Sequence, residues 1–334
     1  MRNSMFSFVL LSLYLAVFYC SGWCRTGNIV YGGWKDIFVI DMTAGKVITK
    51  IPIESHINDL ELTGGGKLIA ASRKGLHIVD TSSMKVEQTL SMGIVDAVEH
   101  DAVRNLTYVL QHPGKDPNES KGPHRLVKLS GDDFRELGSV ELEPWIYDMF
   151  LSPDGNSIYV TMMAGRMIIK VDAVSFAEPE RLYFGKGEMW EGRMVMLRHL
   201  TFADDGSIMY ALEQGESDST CLWNYSTGTS EMKRSCLEKE ALVQGITLSA
   251  DGSRIFANGV SEFIILDSDG KEISRTGLDV EHRWLALSRD SSCVYLTAST
   301  GEHEGRITCV DMEGKVIREV MILTPLNSIA VDGS

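Results

Sequence analysis

The chain has 334 residues, of which 44% are hydrophobic and 23% are charged, values that suit a globular protein with a substantial core. It carries 46 Asp and Glu against 32 Lys and Arg, which gives a formal net charge of −14 at pH 7. Nucleic acids and anionic membrane surfaces attract basic proteins, so this charge argues against both classes of partner.

The first residues have the layout of a secretory signal peptide. One arginine precedes an apolar stretch from Met5 to Tyr19, and small residues then offer a cleavage point before Trp23. The apolar stretch is short for a membrane-spanning helix, and no later segment could cross a bilayer. The sequence therefore predicts a signal peptide over 1–22 and an exported mature chain over 23–334, either secreted or periplasmic.

A strand–turn–strand phrase recurs along the mature chain. "DMFLSPDGNSIYVTM" (148–162) returns in variants such as "GITLSADGSRIFANG" (245–259). Aligning the copies by their turns gives a mean period of about 45 residues, with room for four strands, which we name a to d in chain order. The aligned strand-a openings are Asp59, Asp96, Asp148, His199, Gly245, Trp284 and Ser328. A repeat of this length and content predicts the blades of a β-propeller.

The two ends of the mature chain complement each other. "NIVYGG", "DIFVIDM" and "KVITKIPI" read as strands b, c and d with no strand a before them, whereas "LNSIAVDGS" at the end reads as a strand a. We expect this last strand to complete the first blade, which would remove the exposed sheet edges. The predicted fold is therefore all-β: one domain of seven four-stranded antiparallel blades, closed by the C-terminal strand.

The fourth copy resembles a known family. In "SPDGNSIYVTMMAGRMIIKVDAVSF" (152–176), Tyr159, Val160 and Thr161 match the YVTN repeat, and Met162 replaces its usual asparagine. The resemblance extends over nearly all of residues 27–334. It implies a seven-bladed propeller but no single function, because propellers of this class include surface-layer proteins, lactonases and a subunit of periplasmic quinohemoprotein amine dehydrogenases. It thus admits a haem or quinone protein as partner.

Cysteine spacing supports export. Cys221 and Cys236 bracket two strand-like runs joined by a turn, and Cys293 and Cys309 do the same. Residues that face each other on antiparallel strands are close enough for a disulfide, so we expect both pairs to be bonded. Cys24 would then have no visible partner. The sequons at Asn105 and Asn118 are weak candidates for glycosylation.

The connections between strands differ between the two faces of the predicted ring. The turns between strands a and b are short, and Asp154, Asp205 and Asp251 are expected to be turn formers. The opposite face carries the longer b–c and d–a connections, where we look for binding. These connections are 111–124, 186–196, 213–220 and 299–305.

Each strand a is expected to begin at the long-loop face, beside the central channel. Asp59, Asp96, Asp148 and His199 would then lie on four successive blades, with Trp284 further round the ring. Neighbouring carboxylates repel one another unless one is protonated or a cation lies between them. Oxygen ligands favour a divalent cation such as calcium, while His199 would suit a transition metal. Alternatively, these carboxylates accept backbone N–H bonds from the next blade and only hold the ring together.

The first functional hypothesis is an exported recognition or scaffold module that binds a protein or a small polar ligand on the long-loop face. The alternatives are a lactonase-like hydrolase, with a metal on Asp59, Asp96, Asp148 and His199, or the propeller subunit of a periplasmic oxidoreductase complex. No C-x-x-C-H motif is present, so a redox cofactor would reside on a partner. His112 and His124 are read as loop residues without metal-binding spacing.

Overall fold

The computed structural model describes residues 29–112, 114, 122–163, 165–185, 195–215, 220–237, 241–288, 290–299 and 304–332. Within these ranges the chain forms 28 strands and no helix, arranged as seven four-stranded antiparallel sheets. The predicted all-β, seven-bladed propeller is confirmed. The predicted signal peptide, Cys24, Asn118 and much of the long connections lie outside the described residues. No helix in the described ranges has the length and apolarity needed to cross a membrane.

The strands fall into four sets by their position in a blade. Strands a are β4 (Ile57–Leu62), β8 (Val95–Asp101), β12 (Ile146–Leu151), β16 (Met196–Phe202), β20 (Val243–Leu248), β24 (His282–Leu287) and β28 (Ser328–Val331). Strands b are β1 (Ile29–Gly33), β5 (Lys67–Ser72), β9 (Leu106–Gln111), β13 (Ser157–Met162), β17 (Ile208–Gln214), β21 (Arg254–Gly259) and β25 (Cys293–Ser299). Strands c are β2 (Asp36–Asp41), β6 (Gly75–Asp80), β10 (Arg125–Ser130), β14 (Met167–Asp172), β18 (Thr220–Ser226), β22 (Glu262–Asp267) and β26 (Gly305–Asp311). Strands d are β3 (Lys46–Pro52), β7 (Lys85–Leu90), β11 (Glu136–Glu141), β15 (Glu180–Tyr183), β19 (Met232–Cys236), β23 (Glu272–Gly277) and β27 (Val316–Ile322).

The recurring turn phrase closes the a–b hairpins as the sequence predicts. In the fourth blade, Asp154 accepts hydrogen bonds from the Ser152 hydroxyl at 2.6 Å and from the Asn156 N–H at 2.9 Å. Gly155 follows with φ of 67°, a left-handed conformation that glycine adopts without steric cost. Asp205 and Asp251 make equivalent bonds within their own turns, so all three predicted turn formers are confirmed.

The ring closes through the split first blade. Strand β28 pairs antiparallel with β1, and the sheet order is β28-β1-β2-β3. The contacts between neighbouring strands a continue around the ring and return from β24 through β28 to β4. Leu326, just before β28, is fully buried, and a Cβ atom built on Gly32 would lie only 2.8 Å from its Cδ2. Glycine at position 32 therefore lets the C-terminal segment approach β1.

The core lies between the blades and depends on a repeated aromatic residue in strand b. Six of the seven blades have a tyrosine or phenylalanine at this position, and each is buried. These residues are Tyr31, Tyr108, Tyr159, Tyr210, Phe256 and Tyr295. The repeat therefore specifies an aromatic wedge that packs a blade against its neighbour.

One of the two predicted disulfides is confirmed. Cys221 and Cys236 are register partners on β18 and β19 and are bonded, which is typical of a protein from an oxidising compartment. The predicted Cys293–Cys309 bond is wrong, because both residues are free and buried. Cys293 pairs with Asp311, and Cys309 pairs with Tyr295, so the two cysteines are diagonal neighbours. The β25–β26 hairpin is centred one residue later than the direct pairing of these cysteines requires.

Ring closure predicts a large difference between two leucines that lie three residues apart. Leu326→Ala should lower the free energy of unfolding by about 3 kcal/mol, because it removes a side chain that fills the β1–β28 junction. The matched control, Leu323→Ala, should change it by less than about 0.5 kcal/mol, since Leu323 is 90% exposed. Urea unfolding of both variants measures the difference, and equal effects would contradict this role for the junction.

The Cys221–Cys236 bond predicts a specific labelling pattern. Unfolded but unreduced protein treated with iodoacetamide should carry label on Cys293 and Cys309 and none on Cys221. The double variant Cys221→Ser/Cys236→Ser should lose about 2–3 kcal/mol of stability, because the bond closes a loop with a sequence separation of 15. Peptide mass spectrometry and urea unfolding test the two parts. Label on Cys221 without reductant would show that the bond is absent.

Candidate functional site

A β-bulge near the start of strand a displaces one side chain in six of the blades. The bulged residue has no register partner, and Asn327, just before β28, holds the equivalent place in the first blade. We call these seven residues the mouth ring: Asn58, Asp96, Tyr147, Arg198, Gln244, Arg283 and Asn327. All seven are polar, and they lie at the long-loop face of the propeller.

A cavity of about 490 Å³ opens at this face. Six members of the mouth ring line it, and Asp96 is the exception. The remaining lining residues are His199, Glu281 and Trp284. The cavity therefore offers amide, hydroxyl, imidazole and guanidinium groups, one carboxylate and one large aromatic surface.

Arg198 is the best-fixed cation in this cavity. Its Nε and Nη2 donate to the Tyr147 hydroxyl at 3.1 and 2.7 Å, and its Nη1 donates to Gln214 and Gln244 at 2.8 and 2.9 Å. The guanidinium also lies 5.0 Å from the Tyr147 ring centroid. Tyr147 belongs to the fourth blade and Gln244 to the sixth. Arg198 is therefore held from both sides, and the described residues include no carboxylate paired with it.

The next residue in each strand a pairs normally and forms a second ring. This channel ring consists of Asp59, Ala97, Asp148, His199, Gly245, Trp284 and Ser328. The predicted residues Asp59, Asp148, His199 and Trp284 all occupy it, as do the aligned Gly245 and Ser328.

The placement of Asp96 in this ring is wrong by one position. Ala97 takes the channel-ring place in the third blade, and Asp96 belongs to the mouth ring. Strand β8 pairs through Asp101, so the third-blade hairpin contains one more paired residue before its turn than the fourth. Aligning the blades by their turn phrases therefore places the sequence of the third blade one residue out of register. Because side chains alternate along a strand, a one-residue shift changes where Asp96 lies.

Four carboxylates converge in the channel below the mouth. Asp59 and Asp148 are joined by Glu61 and Glu99, two residues after the channel-ring positions of the second and third blades. The two glutamates are not among the residues predicted from the sequence. The period-2 alternation of a strand could have found them, because it places residue i+2 on the same face as residue i.

Some of these carboxylates satisfy the free backbone edge of the next blade. The Val98 N–H donates to Asp59 Oδ2 at 3.0 Å. Glu61 likewise accepts a backbone hydrogen bond from His100, and Glu99 accepts one from Leu151. This arrangement matches the structural alternative that the sequence left open for such residues.

Burial raises the pKa values of the same carboxylates. It raises the pKa of Glu61 to about 8, with the Asp59 charge as the second cause. Burial, followed by the charges of Glu61, Asp59 and Asp148, raises the pKa of Glu99 well above its ordinary value. The pKa of Asp148 is raised in the same way by burial and by Asp59. Glu61, with its pKa near 8, therefore holds its proton near neutral pH.

His199 is kept neutral. Burial, with the neighbouring Arg198 charge as the second cause, lowers the pKa of His199 to about 4. Its ring lies 5.1 Å from that of Phe150, and its Nδ1 has no hydrogen-bond partner among the described residues. On the other side, a Cβ atom on Gly245 would come within 2.6 Å of Leu285 Cδ2, which explains why glycine occupies that place.

The predicted metal set is not one compact site. In the described part of the chain, the group that brings three candidate ligand atoms within 4.8 Å of one another is Asp96, His112 and His124. Asp59, Asp148 and His199 are not part of it. The two histidines are predicted to be loop residues, because they are 12 residues apart and show no ligand spacing in the sequence. The available signal was their position at the two ends of the longest predicted loop.

Asn105, the described sequon residue, is exposed in the turn between β8 and β9. It adopts a left-handed conformation with φ of 52°, and its side-chain amide donates to Asp132 at 2.7 Å. Its glycosylation stays a prediction.

Comparison with known proteins supports the architecture alone. No protein-family model and no curated protein matches the chain. A solved structure of a protein from Lactobacillus plantarum is similar with a TM-score of 0.68 and 16% identity, covering 92% of this chain and 99% of that one. Hydrazine synthase from Kuenenia stuttgartiensis gives 0.67 and 12%, covering 84% and 90%. A functionally unknown protein from Desulfotomaculum acetoxidans gives 0.68 and 12%, covering 91% and 98%. The YVTN resemblance thus stays a prediction from sequence.

The channel carboxylates predict that stability falls as pH rises. The pKa of Glu61 is about 8 in the folded chain and near 4.5 when unfolded, so the folded state binds the proton more tightly between these values. Its contribution is complete below about pH 4.5 and lost as pH rises through 8. Between pH 5 and pH 8, Glu61→Gln should therefore lose less stability than the wild type, by about 3 kcal/mol on a conversion of about 1.4 kcal/mol per pKa unit.

Urea unfolding at pH 5 and pH 8 measures this effect. Glu141→Gln is the matched control, because Glu141 is exposed on an outer strand and should leave the pH profile of the wild type unchanged. If Glu61→Gln and the wild type lost stability in parallel between the two pH values, the loss would not come from deprotonation of Glu61.

Proposed function

We propose that this chain is an exported recognition module whose channel mouth binds a small ligand with a carboxylate or phosphate group. The observation that carries the proposal is Arg198, a guanidinium fixed in a polar cavity with no carboxylate partner among the described residues. An anionic group is the natural partner for such a cation, because charge-assisted hydrogen bonds to arginine are strong and directional. The Cys221–Cys236 bond supports export.

The other lining residues fit this ligand class. Arg283 supplies a second guanidinium; its side chain is half exposed, and its Nε lies 3.7 Å from Glu281. Trp284 adds an apolar wall for the carbon part of a ligand. Burial raises the pKa of Asp148, which favours the protonated carboxyl group, a hydrogen-bond donor, below the mouth ring.

The enzymatic alternatives lack an observation of their own. A hydrolase with one metal on Asp59, Asp96, Asp148 and His199 needs four groups that do not form one ligand set. A redox complex would have to be argued from the likeness to hydrazine synthase, which at 12% identity concerns the fold. Binding without chemical change is therefore the function that we propose.

Binding can be tested with defined probes on the purified mature chain. Inorganic phosphate, succinate and glutarate are titrated while tryptophan fluorescence and calorimetry are recorded, because Trp284 lines the cavity. We expect saturable binding of at least one probe. Arg198→Met should weaken it about tenfold or more, the effect of losing a charged hydrogen bond. Arg283→Met should weaken it less.

The matched control is Arg135→Met, which removes the same charge from an exposed turn between β10 and β11. It should bind like the wild type. Circular dichroism checks that Arg198→Met folds. If it does not fold, Arg283→Met provides the second test. The proposal fails if no probe binds the wild type or if both mouth-arginine variants bind as tightly as Arg135→Met.

A further inference from the structure

We infer that Asp96, His112 and His124 form a binding site for a divalent transition-metal ion, separate from the carboxylates of the channel. One ligand atom from each residue lies within 4.8 Å of the other two. Two imidazoles and one carboxylate form a donor set that suits zinc and its neighbours better than calcium or magnesium, which prefer oxygen ligands.

The fold brings these residues together for a clear reason. Gln111 on β9 and Arg125 on β10 are the outermost register partners of their hairpin. His112 and His124 follow directly beyond this pair, one on each strand, so they face each other across the start of the b–c connection. Their ring centroids lie 5.3 Å apart, edge to face. The bulge in β8 turns Asp96 toward them from the same blade.

The distances are close to those of a metal site. Ligands bound to zinc at about 2.0–2.1 Å in a tetrahedron lie about 3.4 Å from each other. His124 Nε2 and Asp96 Oδ2 are already 3.4 Å apart. The third atom lies within 4.8 Å of both, so a shift of about 1.4 Å at most completes the set. His112 is only partly buried, so its ring has space to make that movement.

Hydrogen bonding alone leaves His124 unsatisfied. Its side chain is 3% exposed, one nitrogen faces Asp96, and Nδ1 has no partner among the described residues. A buried polar atom without a partner costs about 1–3 kcal/mol, so the pair with Asp96 does not by itself explain why a histidine is buried here. A metal ion bound through Nε2, the nitrogen that faces Asp96, would add an interaction that offsets part of this cost, while Nδ1 would keep its place without a described partner.

Metal binding also changes the state of His112. Its Nδ1 accepts a hydrogen bond from the Gly114 N–H at 3.0 Å, so Nε2 carries the proton. Coordination through either ring nitrogen breaks the bond to Gly114, because binding through Nε2 requires the opposite tautomer and binding through Nδ1 uses the lone pair that accepts this bond. Three protein ligands leave at least one coordination position open, as in metal sites that bind a further molecule. Asp96 also belongs to the mouth ring, although it does not line the proposed binding cavity.

The test uses the untagged mature chain, stripped with EDTA and desalted, and the metal alone as probe. Isothermal titration with Zn²⁺ should give one ion per chain with a micromolar or tighter dissociation constant. Asp96→Asn, His112→Gln and His124→Gln should each weaken binding about tenfold or more. Co²⁺ should give the visible absorption of a low-symmetry, four- or five-coordinate site in the wild type, and the three variants should lose it.

Two controls make the result specific. His100→Gln removes a histidine from β8 in the same blade, where its Nδ1 bonds Thr107, and should bind Zn²⁺ like the wild type. Arg198→Met should also keep the metal, which separates this site from the proposed anion site. Thermal unfolding checks each variant, and the partly buried His112 gives the safest substitution. The absence of stoichiometric binding, or equal weakening by His100→Gln, would overturn the inference.

Discussion

The antiparallel pairing of β28 with β1 is the interaction on which the rest of the structure depends. It joins the two ends of the chain in one blade, and the contacts among strands a then close into a ring. A closed ring has no terminal blade face exposed to solvent, and it gives the seven innermost strands a common channel. The mouth ring and the channel ring exist only because this closure places seven equivalent positions around one axis.

Closure also leaves backbone groups at the inner edge of the ring without strand partners, and acidic side chains bond to some of them. The inner edge of strand a has backbone groups without a strand partner, and buried N–H groups need acceptors. Asp59 accepts from Val98, and Glu99 accepts from Leu151, each across a blade boundary. The same burial raises the pKa values of these carboxyl groups. Part of the acidic cluster therefore serves the architecture, which is why we place ligand binding at the mouth ring above it.

The fold could be predicted in detail from the sequence because the repeated residues specify the strands and turns of each blade. Turn residues and the buried strand-b aromatic recur with one period, and the unmatched strands at the two ends imply closure. The errors arise where register matters. Direct pairing of Cys293 with Cys309 needed the exact hairpin centre, and the placement of Asp96 needed the length of β8. The period of the repeat is an average over the blades, so it does not show differences of one residue between hairpins. The backbone hydrogen bonds of each hairpin do show them.

The same register explains why the sites depart from the repeat. A bulge frees the mouth-ring residue from pairing, so its side chain can differ from blade to blade without disturbing the ladder. Arg198 occupies such a position and bonds to Tyr147 and Gln244 on the two adjacent blades. Asp96 occupies another and lies close to His124. Sevenfold repetition thus supplies the rigid frame, and the proposed sites combine the bulged position, which the frame does not constrain, with residues such as Trp284 of the channel ring and His112 and His124 of the third blade.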